Sequence, residues 1–195
     1  MGAATLDQSA TTDHPILDVL VERWSPRAYD AAVAIDEQKL NSALEAARWS
    51  PSANNVQPWR FIVARRGTAT HAAIVESLMG FNQAWAPNAS ALVVAIAETK
   101  NANGDEQPWA FYDLGQAVAH FSVQAHAEGL HVHQMAGFDG AQISEKFGLE
   151  ERFVPFTITA VGDFGDHTEL PEALQEREVA PRTRRPIAES LVVND

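Results

Sequence analysis

The amino-acid sequence predicts an α+β fold in which helices flank a mixed, mainly antiparallel central sheet. Segments whose apolar residues follow a helical period alternate along the chain with short apolar runs typical of strands. Only the helix between the strands near residues 60 and 90 is placed like a crossover, whereas a parallel sheet needs a crossover between successive strands. The length of 195 residues fits one domain, which we expect to occupy residues 14–195 after a mobile polar tail at residues 1–13.

The first half of the chain is predicted to contain three helices and two strands. Apolar residues at helical spacing indicate a helix near 15–22. Asp36 is a candidate N-cap for a second helix, because its carboxylate can accept hydrogen bonds from free backbone amides, and Ser50-Pro51 ends that helix. The remaining elements are a strand at 60–64, a helix at 69–79 and a buried strand at 90–97.

The second half begins with the longest predicted helix, over residues 109–128, which is apolar on more than one face and is closed by Gly129. A short strand at 131–135, a short helix at 143–147 and a last strand at 156–161 follow. The tail from Leu170 is acidic, then basic and then apolar, and no helix or strand is predicted in it.

The composition excludes several classes of protein. The chain has no cysteine, so disulfides, thiolate zinc sites and thiol nucleophiles are excluded. A net charge of −12 argues against a nucleic-acid partner. We expect no membrane span and no signal peptide, because the apolar runs are shorter than about 18 residues and residues 1–13 lack a basic and an apolar region. A cytoplasmic location is therefore expected.

Arginines are concentrated near the two ends of the chain, although the protein is acidic overall. Five of the eleven arginines fall in two short segments, as Arg23, Arg27, Arg182, Arg184 and Arg185. Prolines at positions 26, 181 and 186 favour extended or turn backbone there, and such backbone can direct guanidiniums at a ligand. The pattern suits an anion such as a phosphate. Solvated surface charge is the alternative interpretation.

Histidines are the other candidate ligands, since His120, His126, His131 and His133 fall close together. His131 and His133 would share one face of a strand, but no carboxylate is well spaced to complete a metal site with them. We therefore predict no metal. The G-x-G-x-x-G and P-loop signatures of nucleotide-binding folds are also missing from the sequence.

Five segments together resemble the FMN-dependent nitroreductase family. They occur in the family's order between residues 23 and 186, and each alone is a weak pattern. The segments are Arg23-Trp24-Ser25-Pro26-Arg27, Pro51-Ser52-Ala53-Asn54-Asn55-Val56-Gln57-Pro58-Trp59, Phe81-Asn82-Gln83, Met135-Ala136-Gly137-Phe138-Asp139 and Pro181-Arg182-Thr183-Arg184-Arg185-Pro186.

The resemblance implies a set of residues that bind FMN. Arg23, Ser25, Arg182 and Arg184 would hold the phosphate, with Trp24 between the first two and Arg185 as a helper or a solvent-facing neighbour. Arg27 would lie beside N1 and O2 of the flavin, and Asn82 at its pyrimidine edge. Gln134, Ala136 and Gly137 would line the N5 side, and Pro51, Ser52, Ala53 and Asn55 would come from the other subunit. Family members often carry a glutamate where this chain has Ala136, so a role for that side chain is not carried over.

The resemblance also implies an activity and an assembly. The expected protein is a homodimer with shared flavin sites and exchanged C-terminal arms. It would use NADH or NADPH to reduce small oxidised acceptors, of the nitroaromatic, quinone or enone type, in a ping-pong hydride transfer through flavin N5. Two alternatives stay open. One is a flavin-binding protein of this fold without nicotinamide-dependent turnover, for flavin storage or breakdown, and the other is an interaction domain without flavin.

Overall fold

The computed structural model describes residues 6–194, and its centre is a sheet of four strands in the order β1-β2-β4-β3. The strands are β1 (Trp59–Arg65), β2 (Ala91–Glu98), β3 (His131–Met135) and β4 (Phe153–Gly162). All three neighbouring pairs are antiparallel, so this sheet is antiparallel throughout rather than mixed. The α+β class predicted from the sequence is confirmed.

Helices flank this sheet on both faces. Those in residues 6–194 are α1 (Asp18–Glu22), α2 (Glu37–Arg48), α3 (Ala69–Ser77), α4 (Ala110–Ala127), α5 (Gly140–Phe147) and α6 (Glu172–Glu178). The predicted N-cap of α2 is confirmed, because the Asp36 carboxylate accepts hydrogen bonds from the amides of Gln38 and Lys39. In the part of the chain that the structure describes, none of the helices combines the length and apolar character needed to cross a bilayer.

The core consists of two layers separated by β2, whose eight residues are all buried. Alternate side chains of a strand point to opposite faces of the sheet. Ala91, Val93, Ala95 and Ala97 accordingly pack with α2 and α4, whereas Leu92, Val94 and Ile96 pack with α3, α5 and the segment at 85–89. Burial on both faces explains why the sequence of β2 is an uninterrupted apolar run.

Two expectations about the elements are wrong. The segment with α3 is not a crossover, because β1 and β2 are antiparallel neighbours whose register runs from Trp59↔Ala97 to Arg65↔Ala91. The period of a helix indicates its buried face but not the direction of the strands around it. Helix α6 was not predicted, because Leu174 is its only buried apolar side chain. α1 is shorter than the predicted 15–22 segment and begins at Asp18.

Part of the predicted N-terminal tail contacts the rest of the domain. Residues 1–5 lie outside the described residues, but Gln8 is buried and its side-chain amide donates to the backbone carbonyl of Glu178. The amide of Ala10 donates to the carbonyl of Val21. The boundary at residue 13 and the mobility of the tail stay predictions.

Candidate functional site

A cavity lined by arginines lies between the segment at 23–27 and the segment at 177–184. Arg23, Trp24, Ser25 and Arg27 line one side of it, and Arg182 and Arg184 line another, with Gln8, Arg177, Glu178 and Ala180 completing the wall. Its volume is about 200 Å³. Six of the side chains assigned to FMN by resemblance therefore lie in one cavity, although more than 150 residues separate the two segments. We call it the arginine cavity.

Among the described residues, the charges in the arginine cavity are balanced only in part, by the ion pair of Glu178 with Arg27. In residues 6–194, no carboxylate forms an ion pair with Arg23, Arg182 or Arg184. Burial, and then the charge of Arg184, lower the pKa of Arg23. Burial also lowers the pKa of Arg182, and the charges of Arg23 and Arg184 add to this effect. An anion bound between these guanidiniums would relieve their repulsion.

The cavity's arginines differ in how firmly they are held. Arg182 donates from Nη1 to the carbonyl oxygen of Val21 at 2.9 Å and also to that of Gln8, so its guanidinium is fixed. The Nη1 of Arg184 donates only to the neighbouring carbonyl of Thr183 among the described contacts. Arg185 is exposed and lies outside this cavity, in an adjoining groove. The guanidinium of Arg184 is therefore held less firmly than that of Arg182.

Glu178 supports the arginine cavity and was not predicted from the sequence. Its side chain is buried, and Oε1 accepts hydrogen bonds from the amides of Arg27 at 2.6 Å and Ala28 at 3.0 Å. Arg27 Nη1 lies 3.4 Å from Glu178 Oε2. The carboxylate thus fixes both the backbone and the guanidinium of Arg27. No local pattern announces this contact, because Glu178 lies in α6 and its partners lie some 150 positions earlier.

Asn82 and Gly137 form a second predicted part of the site. Asn82 Nδ2 donates to the carbonyl oxygen of Gly137 at 3.1 Å, and a Cβ atom on Gly137 would lie only 2.8 Å from that nitrogen. A larger residue at position 137 would therefore displace the Asn82 amide from this contact. Arg177 connects this pair to the arginine cavity, because it lines the cavity and its guanidinium lies 5.3 Å from the ring of Phe81.

The other residues predicted on the N5 side lie at the end of β3. Ala136 is exposed beside Gly137. Gln134 is also largely exposed, and its Nε2 donates to Ser122 Oγ on α4 at 2.8 Å. The structure therefore brings Ala136 next to the Asn82–Gly137 pair, while the amide group of Gln134 is bonded to α4.

The histidines of β3 serve as packing groups around the arginine cavity. Burial lowers the pKa of both His131 and His133 to about 4. His133 Nδ1 lies 2.9 Å from the carbonyl oxygen of Pro26, and the ring of His131 packs against Phe164 and Trp24. Both rings are therefore neutral near pH 7. In residues 6–194, no group of three or more histidine or acidic side chains is arranged to hold a metal ion.

The segment at 51–57, which we call the asparagine turn, lies elsewhere. The amide of Ala53 donates to Asp113 Oδ2 at 3.1 Å, which attaches the turn to the first turn of α4. Ser50, just before the turn, lies with its Oγ 2.7 Å from His120 Nδ1 near the middle of α4. Trp109 and Tyr112 are exposed beside it and line a cavity with Pro51, Ser52 and Ala53.

The arginine cavity and the asparagine turn are far apart in one chain. The pKa of His126, in the last turn of α4, is lowered first by burial and is also affected by the charges of Arg23 and Arg182, so this end of α4 lies near the arginine cavity. Asp113 and His126 are 13 residues apart on α4, which is about 20 Å at 1.5 Å per residue. A single chain therefore does not bring Pro51, Ser52, Ala53 and Asn55 to the arginine cavity.

Comparison with known proteins gives concordant matches. The model of the Nitroreductase family matches residues 20–84 and 65–163. A crystal structure described as an oxidoreductase containing FMN is 35% identical and superposes with a TM-score of 0.89 over 96% of both chains. An uncharacterised 15.4 kDa protein of Mycolicibacterium smegmatis is 35% identical over 64% of this chain and 88% of its own. The oxygen-insensitive NAD(P)H nitroreductase of Enterobacter cloacae is 27% identical over 78% of this chain and 89% of its own.

Proposed function

The chain belongs to the nitroreductase family, and from this membership we propose the residues, the assembly and the acceptors with which it works. It is an NAD(P)H-dependent oxidoreductase with FMN as its cofactor. One observation carries the assignment of the site: three guanidiniums that have no carboxylate partner within residues 6–194 line one cavity, and Arg177 connects that cavity to the close contact of Asn82 with Gly137.

The residues present fit FMN. Its phosphate would be held by Arg23, Ser25, Arg182 and Arg184, which supply the cationic and hydroxyl donors that a phosphate accepts. Arg27 would lie beside N1 and O2, and Asn82 beside the pyrimidine edge. The absence of a Cβ on Gly137 lets the Asn82 amide lie against the backbone at this edge of the site. When bound there, FMN would supply two-electron hydride chemistry between a reduced nicotinamide and an acceptor.

We propose that the site is completed by a second copy of the chain. Pro51, Ser52, Ala53 and Asn55 would reach the flavin that is held by the partner's arginine cavity, because they cannot reach their own. The exposed face of α4 and the exposed apolar residues Leu191, Val192 and Val193 fit a dimer with exchanged C-terminal arms. The cytoplasmic location stays a prediction.

The acceptors proposed are small oxidised molecules of the nitroaromatic, quinone or enone type. The nicotinamide and the acceptor would use the same open side of the site in turn, beside the exposed Ala136 and Gly137. The polar turn at 101–105 is short and lies beside the asparagine turn, where Asn101 lines a cavity with Ala53 and Asn54. It is closed by its own contacts, with Asn101 Nδ2 2.9 Å from Asp105 Oδ2.

Anaerobic reduction of the purified protein tests this function. We expect a yellow protein with bound FMN that is bleached by NADH or NADPH and reoxidised by members of an acceptor panel. The alternative of flavin storage or breakdown, favoured by Ala136 in place of the glutamate common in the family, predicts bound flavin that neither nicotinamide reduces. A colourless protein that gains no flavin when FMN is added would contradict the proposal.

A further inference from the structure

The asparagine turn holds an unusual backbone conformation. Asn54, Asn55 and Gln57 have φ angles of 51°, 57° and 50°, in the left-handed region that non-glycine residues rarely occupy. Asparagine tolerates this region better than most residues, but glutamine gains no such advantage. Three such residues within four positions persist only where surrounding contacts determine the conformation.

A small set of hydrogen bonds holds the turn. Ser52 Oγ accepts from the amide of Gln57 at 3.0 Å, and Gln57 Nε2 donates to the carbonyl of Asn55 at 3.1 Å. These two bonds are internal to the turn. The bonds that attach it to α4 are the pair of Ser50 with His120 and the bond from the amide of Ala53 to Asp113 Oδ2.

Asp113 is the buried carboxylate of this set. Only 2% of its surface is exposed, and in residues 6–194 no cationic side chain pairs with it. A buried carboxylate without a cation is costly unless its oxygens accept hydrogen bonds. Besides Ala53, only Gln116 donates to it within the described contacts, at a long 3.4 Å. The amide of Ala53 is therefore its principal partner.

We propose that Asp113 is a positioning residue, which fixes the asparagine turn in the conformation that reaches the partner's flavin. The inference rests on the proposed function, because that function assigns the turn to the flavin. Asp113 acts by accepting the Ala53 amide hydrogen and not by its charge. An asparagine at position 113 can still accept that hydrogen, whereas an alanine cannot.

The experiment compares Asp113→Ala and Asp113→Asn with the wild-type dimer. We expect Asp113→Ala to bind FMN about tenfold more weakly, since the part-buried amide of Ala53 loses its acceptor and the loss of one hydrogen bond shifts an equilibrium by about that factor. Asp113→Asn should stay within about threefold of wild type, because it keeps the acceptor. The matched control is Asp166→Ala, which removes another carboxylate that caps a backbone amide, that of Thr168. Asp166 belongs neither to the asparagine turn nor to the lining of the arginine cavity, so FMN affinity should be unchanged.

Amide hydrogen exchange shows whether the Ala53 amide is still protected by a hydrogen bond. The Ala53 amide should exchange faster in Asp113→Ala than in Asp113→Asn or wild type, while the amides of β2 keep their protection. Unchanged FMN affinity or unchanged protection of Ala53 in Asp113→Ala would overturn the inference and leave the proposed function intact. An equal loss of affinity in both variants would overturn it too, because the charge would then be responsible. Wild-type protein that binds no FMN would overturn the proposed function, and the inference with it.

A second variant covers the case in which Asp113→Ala does not fold. Ala53→Pro removes the donor instead of the acceptor, and proline suits the first position of the short helix at 53–55. The preceding residue, Ser52, is already extended with a ψ of 155°, as a residue before proline must be. The same loss of about tenfold in FMN affinity is expected, and an unchanged affinity would overturn the inference.

Discussion

The two regions assigned to FMN differ in how the protein prepares them. The arginine cavity relies on charge, and it gathers guanidiniums from segments at opposite ends of the chain. The asparagine turn has no charged side chain and relies on a left-handed backbone conformation. In each region, a buried carboxylate accepts hydrogen bonds from backbone amides. The carboxylate is that of Glu178 in the cavity and that of Asp113 at the turn. In both regions, the groups expected to contact FMN are kept in place by a carboxylate to which no contact with FMN is assigned.

The largest expected effect is the loss of a charge from the arginine cavity. We predict that Arg23→Ala and Arg184→Ala each weaken FMN binding by about 1.5–3 kcal/mol, because each removes a charge-assisted bond to the phosphate. The fold should be retained, since neither guanidinium forms an ion pair with a carboxylate in residues 6–194. Flavin content and the dissociation constant measure the effect.

Arg48→Ala is the matched control, because Arg48 is exposed and pairs only with Glu45 on its own helix in the described structure. Full flavin content in Arg23→Ala or Arg184→Ala would show that the cavity does not bind the phosphate.

The second prediction concerns the stability of the cavity wall against acid. His131 and His133 have folded-state pKa values of about 4, below the ordinary value of 6.5, because they are buried. Their neutral forms are favoured by folding, so stability is full above about pH 6.5 and falls as the pH drops towards 4. We expect His133→Gln to make this fall smaller, and urea unfolding at several pH values measures it. A wild-type profile that is flat from pH 6.5 to 4 would contradict the prediction.

The third prediction tests the asparagine turn. Asn55→Ala should weaken FMN binding about tenfold, which is less than the effect of the arginine variants. The substitution removes a neutral hydrogen bond and makes the left-handed conformation at φ 57° more costly. Sedimentation should give about twice the monomer mass of 21.2 kDa for the wild type. A wild-type monomer that retains FMN would contradict the role given to the partner's turn.

Local patterns predicted the elements well and the supports of the site poorly. The bounds of β3 were predicted as 131–135 and the cap of α2 as Asp36, because alternation and capping are properties of neighbouring residues. Glu178 and Asp113 were missed, since each bonds to amides that lie far away in the sequence. An acidic residue on a helix carries no sign that its carboxylate is buried.

The candidate site shows the same limit. The resemblance grouped Arg23, Ser25, Arg182 and Arg184, and the structure brings these four side chains to one cavity, while their roles towards FMN stay predictions. The resemblance left Arg185 as either a helper or a solvent-facing neighbour, and the structure has Arg185 exposed and outside that cavity, since adjacent residues in an extended segment point in different directions.

The smallest expected effect is a change in the reduction potential of FMN. It distinguishes an arginine that tunes this potential from one that only binds the cofactor. Arg27 lines the arginine cavity, but its guanidinium also lies 3.4 Å from the carboxylate of Glu178, which offsets part of its charge. If Arg27 lies beside N1 and O2, it stabilises reduced FMN, where negative charge develops. Arg27→Gln should then lower the two-electron potential by some tens of millivolts, since about 30 mV corresponds to ~1.4 kcal/mol. It should also slow reduction by the nicotinamide.

The variant should fold, because Glu178 keeps its bonds to the backbone amides of residues 27 and 28. Arg177→Gln serves as the control, since Arg177 lines the same cavity but stacks on Phe81. The potential is measured on FMN-saturated protein, so that weaker binding cannot imitate the shift. If Arg27→Gln weakens binding and leaves the potential unchanged, Arg27 belongs with the phosphate ligands and the whole arginine cavity acts only in binding. If the reduction potential shifts in Arg27→Gln but not in Arg177→Gln, Arg27 tunes the potential of the flavin. Arg23 would then act only in binding.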